Sequence, residues 1–260
     1  MIVRKTANGE VLLVGQTDHS QLVGQMAAHW GNDQFARPEP YESVARAAAF
    51  HDYGWLRYET IPNADAKTGA PLNFRDIPTT PDQLKSYQWC VDWMTGIDRY
   101  SGAIVSMHRT GLWRARYGTI AHPEQSTRKL SPEIEGFIMA NEPKQEQARA
   151  ALGADQLWTN YRLLQVWDLL GLYFCCQEPY DDFIEPVPLA YNGDRTEGVR
   201  MTMTPQDPRT IRFDPFPFDT RGLEIQLAFK RMPKASYPDQ DSFRRGYFQA
   251  DADLMRFKLV

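Results

Sequence analysis

Ala47-Ala48-Ala49-Phe50-His51-Asp52-Tyr53-Gly54 decides how the chain is read. A run of small, helix-forming residues ends in an imidazole and a carboxylate side by side, and a glycine then stops it. At about 3.6 residues per turn, Val44, Ala47 and Ala48 share one helical face with His51. That face is expected to be buried, with residues small enough for a second helix to approach closely. A buried carboxylate without a partner is costly, so Asp52 needs one. It can cap a following turn, or it can share a metal ion with His51.

The same pattern of polar groups on apolar faces recurs on both sides. Thr17 or Asp18 is placed to cap a helix running to about Trp30, where Gly31-Asn32 ends it. On that helix Leu22, Val23, Met26 and Trp30 surround His19, and His29 falls at the edge of the stripe. Pro38-Glu39-Pro40-Tyr41-Glu42 opens the helix of the doublet. Residues 55–80 are rich in Pro, Asn and Asp with no sustained period, and read as one long loop. A helix starts at Pro81 and continues through Trp89 and Trp93. Another spans 98–113 and sets His108 on a face with Ser101, Ile104, Val105 and Leu112. Residues 115–143 read as broken by Gly118, Pro123 and Pro132. Residues 157–176 form a strong helix with Leu157, Tyr161, Leu164, Leu172 and Cys175 on its apolar face and Asp168 in the middle of it.

The two ends of the chain alternate as strands do. Ile2-Val3-Arg4 and Val11-Leu12-Leu13-Val14 flank Asn8-Gly9, a favoured pair for a tight hairpin turn. Beyond Pro179 come Val199-Arg200-Met201-Thr202-Met203, Thr210-Ile211-Arg212-Phe213, Leu223-Glu224-Ile225-Gln226-Leu227-Ala228-Phe229 and Leu254-Met255-Arg256-Phe257-Lys258-Leu259.

Each inward polar group has an ordinary explanation alone. A single histidine on an apolar face is more often a hydrogen-bonded core residue than a ligand, and Asp168 has Arg162 nearby in sequence as a partner. Their recurrence on four separate helices favours a common centre. Imidazole and carboxylate donors suit a divalent metal, and a set without thiolate argues against a structural zinc site.

The order His19, His51-Asp52, Asp168 resembles the His-Asp (HD) superfamily of metal-dependent phosphohydrolases. Asp18-His19-Ser20 is similar to its first histidine, Ala48-Ala49-Phe50-His51-Asp52-Tyr53-Gly54 to its doublet, and Leu164-Gln165-Val166-Trp167-Asp168 to its last aspartate. The resemblance spans roughly residues 16–176. Met1-Ile2-Val3-Arg4, Gln16-Thr17-Asp18-His19 and Asp214-Pro215-Phe216-Pro217-Phe218 also look similar to a bacterial family of unknown function, over the whole chain. The HD resemblance implies that His19, His51, Asp52 and Asp168 hold one divalent metal (Mn, Fe, Co, Ni, Zn or Mg). Asp52, His108 and Arg109 are then the candidate catalytic residues; Arg109 follows His108 and could clamp phosphate, as could Arg46, Arg57 or Lys129, although any one of these arginines is more often a solvated surface charge. The substrate would be a nucleotide or another small phosphoester. Members with two metals carry two histidines in the region of His108; here the second candidate is only His122, before Pro123 in a loop.

The expected fold is therefore mainly α: an HD-like helical metal-binding core over residues 16–180, an N-terminal hairpin over 1–15 and a β-rich extension over 181–260. The extension and hairpin are expected to form a small antiparallel sheet. Two other functions compete. A di-iron oxygenase needs a second metal, which the lone His108 does not favour. A non-catalytic binding module would use Asp214-Pro215-Phe216-Pro217-Phe218-Asp219, whose phenylalanines serve equally well as packing between sheet and helices.

A formal net charge of -4 offers no broad basic surface for nucleic acid. Of the 3 cysteines, Cys175 and Cys176 are adjacent and Cys90 is remote, so no disulfide framework is expected. Without a signal-like N-terminus or a membrane-length apolar run, the expected setting is the cytoplasm, with no membrane partner and a homodimer open.

Overall fold

The computed structural model describes residues 1–6, 8–114, 130–191 and 197–260. His122, Arg128 and Lys129 lie outside the described residues.

Strands β1 (Ile2–Lys5) and β2 (Val11–Val14) pair antiparallel, with Ile2 opposite Val14. Helix α1 (Gln16–Ala28) follows at once. It begins one residue before Thr17, so Thr17 and Asp18 lie inside its first turn. The Gly15 N–H donates to the Asp18 carboxylate at 3.3 Å, and Glu59 accepts from the backbone N–H groups of Gln16 and Thr17. Helix α2 (Tyr41–Phe50) ends directly before the doublet. A Cβ on Gly24 would lie 2.6 Å from the Ala49 Cβ, so the absent side chain on α1 is what lets α2 approach.

The stretch expected as a long loop carries α3 (Leu56–Glu59) and a 3-10 turn at Phe74–Asp76. Helix α4 (Pro81–Ile97) is capped by the Thr80 hydroxyl, and α5 (Arg99–Trp113) by the Asp98 carboxylate. Of the stretch expected to be broken, 115–129 with Gly118 and Pro123 lies outside the described residues, and from Pro132 onward it is helix α6 (Pro132–Leu152). Pro132 sits in its first turn behind the Ser131 cap, where the missing N–H costs nothing, and Pro143 lies inside it. Helix α7 (Ala154–Cys176) is buried along most of its length.

The sheet corrects the expected fold. The chain is about half helical, with a seven-stranded mixed sheet curled into a half-barrel, and neither mainly α nor all-α. Strands β3 (Asp182–Val187), β4 (Val199–Asp207), β5 (Thr210–Asp214), β6 (Leu223–Met232) and β7 (Ala252–Leu259) join the hairpin in the order β1-β2-β6-β7-β5-β4-β3. It is not purely antiparallel, because β7 enters between β6 and β5 and runs parallel to β5. That insertion follows from α8 (Gln240–Gln249), a helix absent from the sequence reading, which returns the chain to the middle of the sheet. Alternation reveals strands but says nothing of which edges meet.

Helices α1 and α7 pack against the sheet, α1 on β6 and α7 on β1 and β3. Trp30 makes edge-on contacts with Trp167 and Phe218, each with ring centroids 5.7 Å apart, and Phe216 and Phe218 are buried between sheet and helices. Among the described residues no helix is long and apolar enough to cross a membrane.

Candidate metal centre

Four helices deliver polar side chains to one buried point. His19 comes from α1, the His51-Asp52 pair from the end of α2, His108 and Arg109 from α5, and Asp168 from α7. His19 and His51 are fully buried, and Asp52 and Asp168 are only 6% and 5% exposed. His19 Nε2 lies 2.8 Å from Asp168 Oδ1. His51 Nε2 lies 3.4 Å from the same oxygen and 3.8 Å from Asp52 Oδ2. His108 Nε2 is 3.9 Å from Asp52 Oδ1. Two groups, His19 with His51 and Asp52, and His51 with His108 and Asp168, each bring their donor atoms within 4.8 Å of one another and could hold a metal ion. Both groups use His51, so they describe one centre.

The hydrogen bonds around His51 fix what its ring offers. Its Nδ1 lies 2.8 Å from the Ala48 carbonyl oxygen, which can only accept, so the ring hydrogen is on Nδ1. The Ser20 hydroxyl is 3.2 Å from the same nitrogen and accepts from the Asp52 backbone N–H at 3.0 Å, tying both halves of the doublet to α1. The buried Nε2 then has a bare lone pair, makes no hydrogen bond and faces two carboxylate oxygens. Burial depresses the His51 pKa more than Asp168 restores it, so an extra ring proton is disfavoured. Acceptors of like polarity converge in a site that favours no proton between them. A cation satisfies all of them, and the donor set fits a divalent metal.

The other groups are tuned by the same enclosure. Burial first, and then the electrostatic effect of the adjacent His51 ring, push the His108 pKa down to about 3, so the ring is neutral at physiological pH. Burial alone would raise the Asp168 carboxyl, but the hydrogen bond from His19 and the close imidazoles of His51 and His108 hold it well below its usual range. The Arg109 guanidinium pairs with Asp52 Oδ1 and stacks 4.1 Å above the Tyr87 ring, itself part of a buried cluster with Trp55 and Phe137. Of the other basic candidates, Arg46 pairs with Asp98 at 2.8 Å, and Arg57 is exposed on α3.

Three contributors escaped the sequence reading. Ser20 follows His19 directly, and that one-residue step turns it toward α2. Gly171 lies one turn beyond Asp168, and a Cβ there would sit 2.5 Å from His19 Cε1. Cys175, placed by its periodicity only on the apolar face of its helix, has its Sγ 3.8 Å from His19 Nδ1. Burial first, and then Cys176, push its thiol pKa well above the usual value.

Nothing among the curated proteins or the solved structures matches this chain. Residues 1–234, from β1 through β6, match the model of a family described as "Protein of unknown function (DUF3891)", and the chain belongs to that family.

Proposed function

We propose that the chain is a metal-dependent phosphohydrolase acting on a nucleotide or another small phosphoester. The observation that carries this reading is the bare Nε2 of His51, buried and aimed at carboxylate oxygens of both Asp52 and Asp168. His19, His51, Asp52 and Asp168 would hold a divalent ion (Mn, Fe, Co, Ni, Zn or Mg), and the resemblance to the HD superfamily points the same way. Such an ion, when bound, lowers the pKa of a coordinated water and polarises a phosphoryl oxygen.

The remaining roles fall to the protein's own groups. Arg109 supplies a fixed, forked cation beside Asp52, with its face supported by Tyr87, which suits bidentate contact with phosphoryl oxygens. Asp52 accepts a hydrogen bond and so orients the attacking water. Neutral His108 offers a ring nitrogen on the same side of Asp52, for hydrogen bonding to the substrate.

The test is elemental analysis of the purified protein, followed by a phosphoester screen with Mn, Co, Ni and Mg. Wild type should carry metal and cleave at least one ester, and His51→Ala and Asp168→Ala should lose both properties. Variants that matched wild type in metal content and in every activity would end the proposal.

A further inference from the structure

Behind His19, on the side away from Asp168, sits a thiol. Cys175 Sγ is 3.8 Å from His19 Nδ1, and both residues are fully buried. Gly171, one turn earlier on α7, clears the space for this contact: a Cβ there would lie 2.5 Å from His19 Cε1 and 2.8 Å from Nδ1. The ring is thus seated edge-on against α7, with sulfur as the polar neighbour of its Nδ1.

A neutral imidazole carries one N–H. The 2.8 Å contact to Asp168 Oδ1 puts that hydrogen on Nε2, because the carboxylate only accepts. Nδ1 is then an acceptor, and the Cys175 S–H is its donor. To present Nε2 as a ligand, the ring must instead carry its hydrogen on Nδ1. The sulfur then becomes the acceptor. A thiol is a weak donor and a weak acceptor, so it satisfies Nδ1 in both forms. A carbonyl or carboxylate, the usual neighbour of a ligating histidine, would serve only one of them.

We infer that Cys175 is a positioning residue of the metal centre, holding His19 in place and stabilising the Nδ1–H form in which Nε2 is free to ligate. The ring gains at Nδ1 the hydrogen it gives up at Nε2, so its charge does not change. Alanine or valine at position 175 would leave Nδ1 buried and unpaired. The inference rests on the metal reading above, and the experiment separates the two.

The probe is zinc(II) alone, which is diamagnetic, added to protein labelled with nitrogen-15 at histidine. Long-range proton–nitrogen correlation spectra report the tautomer of His19, and competition with a chelator reports affinity. Without zinc, the hydrogen should be on Nε2; with zinc, on Nδ1. Cys175→Val should weaken zinc binding roughly 10–100-fold, the usual cost of losing such an outer partner. Cys175→Ser, whose hydroxyl also donates and accepts, should recover most of that loss. A His19 that keeps its Nε2 hydrogen in the loaded protein overturns the inference, as does a Cys175→Val protein that binds zinc like wild type; in the latter case the metal centre stands. Wild type that takes up no zinc rejects the centre and the role of Cys175 with it. Should Cys175→Val fail to fold, the wild-type spectra and the serine variant still decide.

Discussion

Gln25 of α1 and Gln226 of β6 exchange two hydrogen bonds of 2.8 Å: the Gln25 amide donates to the Gln226 carbonyl and accepts from its backbone N–H. Strand β2 pairs with β6 only near Lys230, while β7 takes the opposite edge from Leu223 to Lys230. The Gln25 side chain therefore stands in for a strand on the edge that β2 leaves open. Helix α1, with His19 six residues earlier, is anchored to the sheet through it.

Gln25→Ala should destabilise the protein by about 1–2 kcal/mol, the worth of two net hydrogen bonds at a half-buried edge. Gln25→Glu should cost at least as much, because it removes the donor and turns a carboxylate toward a carbonyl. Urea denaturation of both variants checks this. A midpoint unchanged in Gln25→Ala would mean that water replaces the side chain without loss.

Acid should unfold the metal-free protein early. His51 and His108 are held neutral by burial, with pKa values below the 6.5 of the unfolded chain, and for His108 down to about 3. Below pH 6.5 the unfolded form takes up protons that the folded form refuses, so this contribution is fully present above 6.5 and shrinks as pH falls toward 3. Asp168, also depressed, adds loss in the same direction at still lower pH. After chelator treatment, the urea midpoint should fall steadily as pH drops below neutrality, and His108→Leu should flatten that slope. A midpoint constant down to about pH 4 would contradict the buried neutral histidines.

Much of the centre was legible because helical phase carries chemistry. His19, His108 and Asp168 could be assigned to buried faces from their apolar neighbours alone, and the doublet from its place at the end of the Ala47-Ala48-Ala49 run. Contacts made behind those faces were not legible. Ser20 and Cys175 depend on how α1 lies against α2 and α7, which periodicity along one helix does not encode. The sheet was misjudged for a related reason. The alternation in β6 and β7 was visible, but β7 lies beside β5 only because α8 carries the chain back. Pro132 was read as a break, although a proline suits a helix start, and α6 runs on through Pro143 where it is exposed.

Arg109→Ala should separate substrate binding from metal binding. Its guanidinium neutralises Asp52 from α5 and is braced by Tyr87, but it is not a metal donor. Metal content should therefore persist, while KM for the phosphoester rises roughly 10–100-fold, as expected for loss of a charge-assisted contact of about 1.5–3 kcal/mol. Arg109→Lys should recover only part of this, because a point charge cannot make the forked contact. Equal kinetic constants in wild type and Arg109→Ala would remove Arg109 from the substrate site.

Gly171→Ala tests whether the centre depends on the close seating of His19 against α7. Within a helix this substitution normally stabilises, by about 1 kcal/mol, because alanine has the higher helical propensity. Here the added Cβ would meet His19 Cε1 at 2.5 Å and Val23 Cγ2 at 2.6 Å, and neither side chain has open space to retreat into. The ring must shift, and its Nε2 must leave the line to Asp168. The variant should keep a cooperative unfolding transition yet bind metal at least tenfold more weakly, since a ligand displaced by a few tenths of an ångström loses its geometry while the fold can relax around one methyl group. Weak metal binding with an intact fold locates the effect at His19. Full metal binding would show that the centre tolerates a displaced first histidine, and that Asp168 with the doublet suffices to hold the ion.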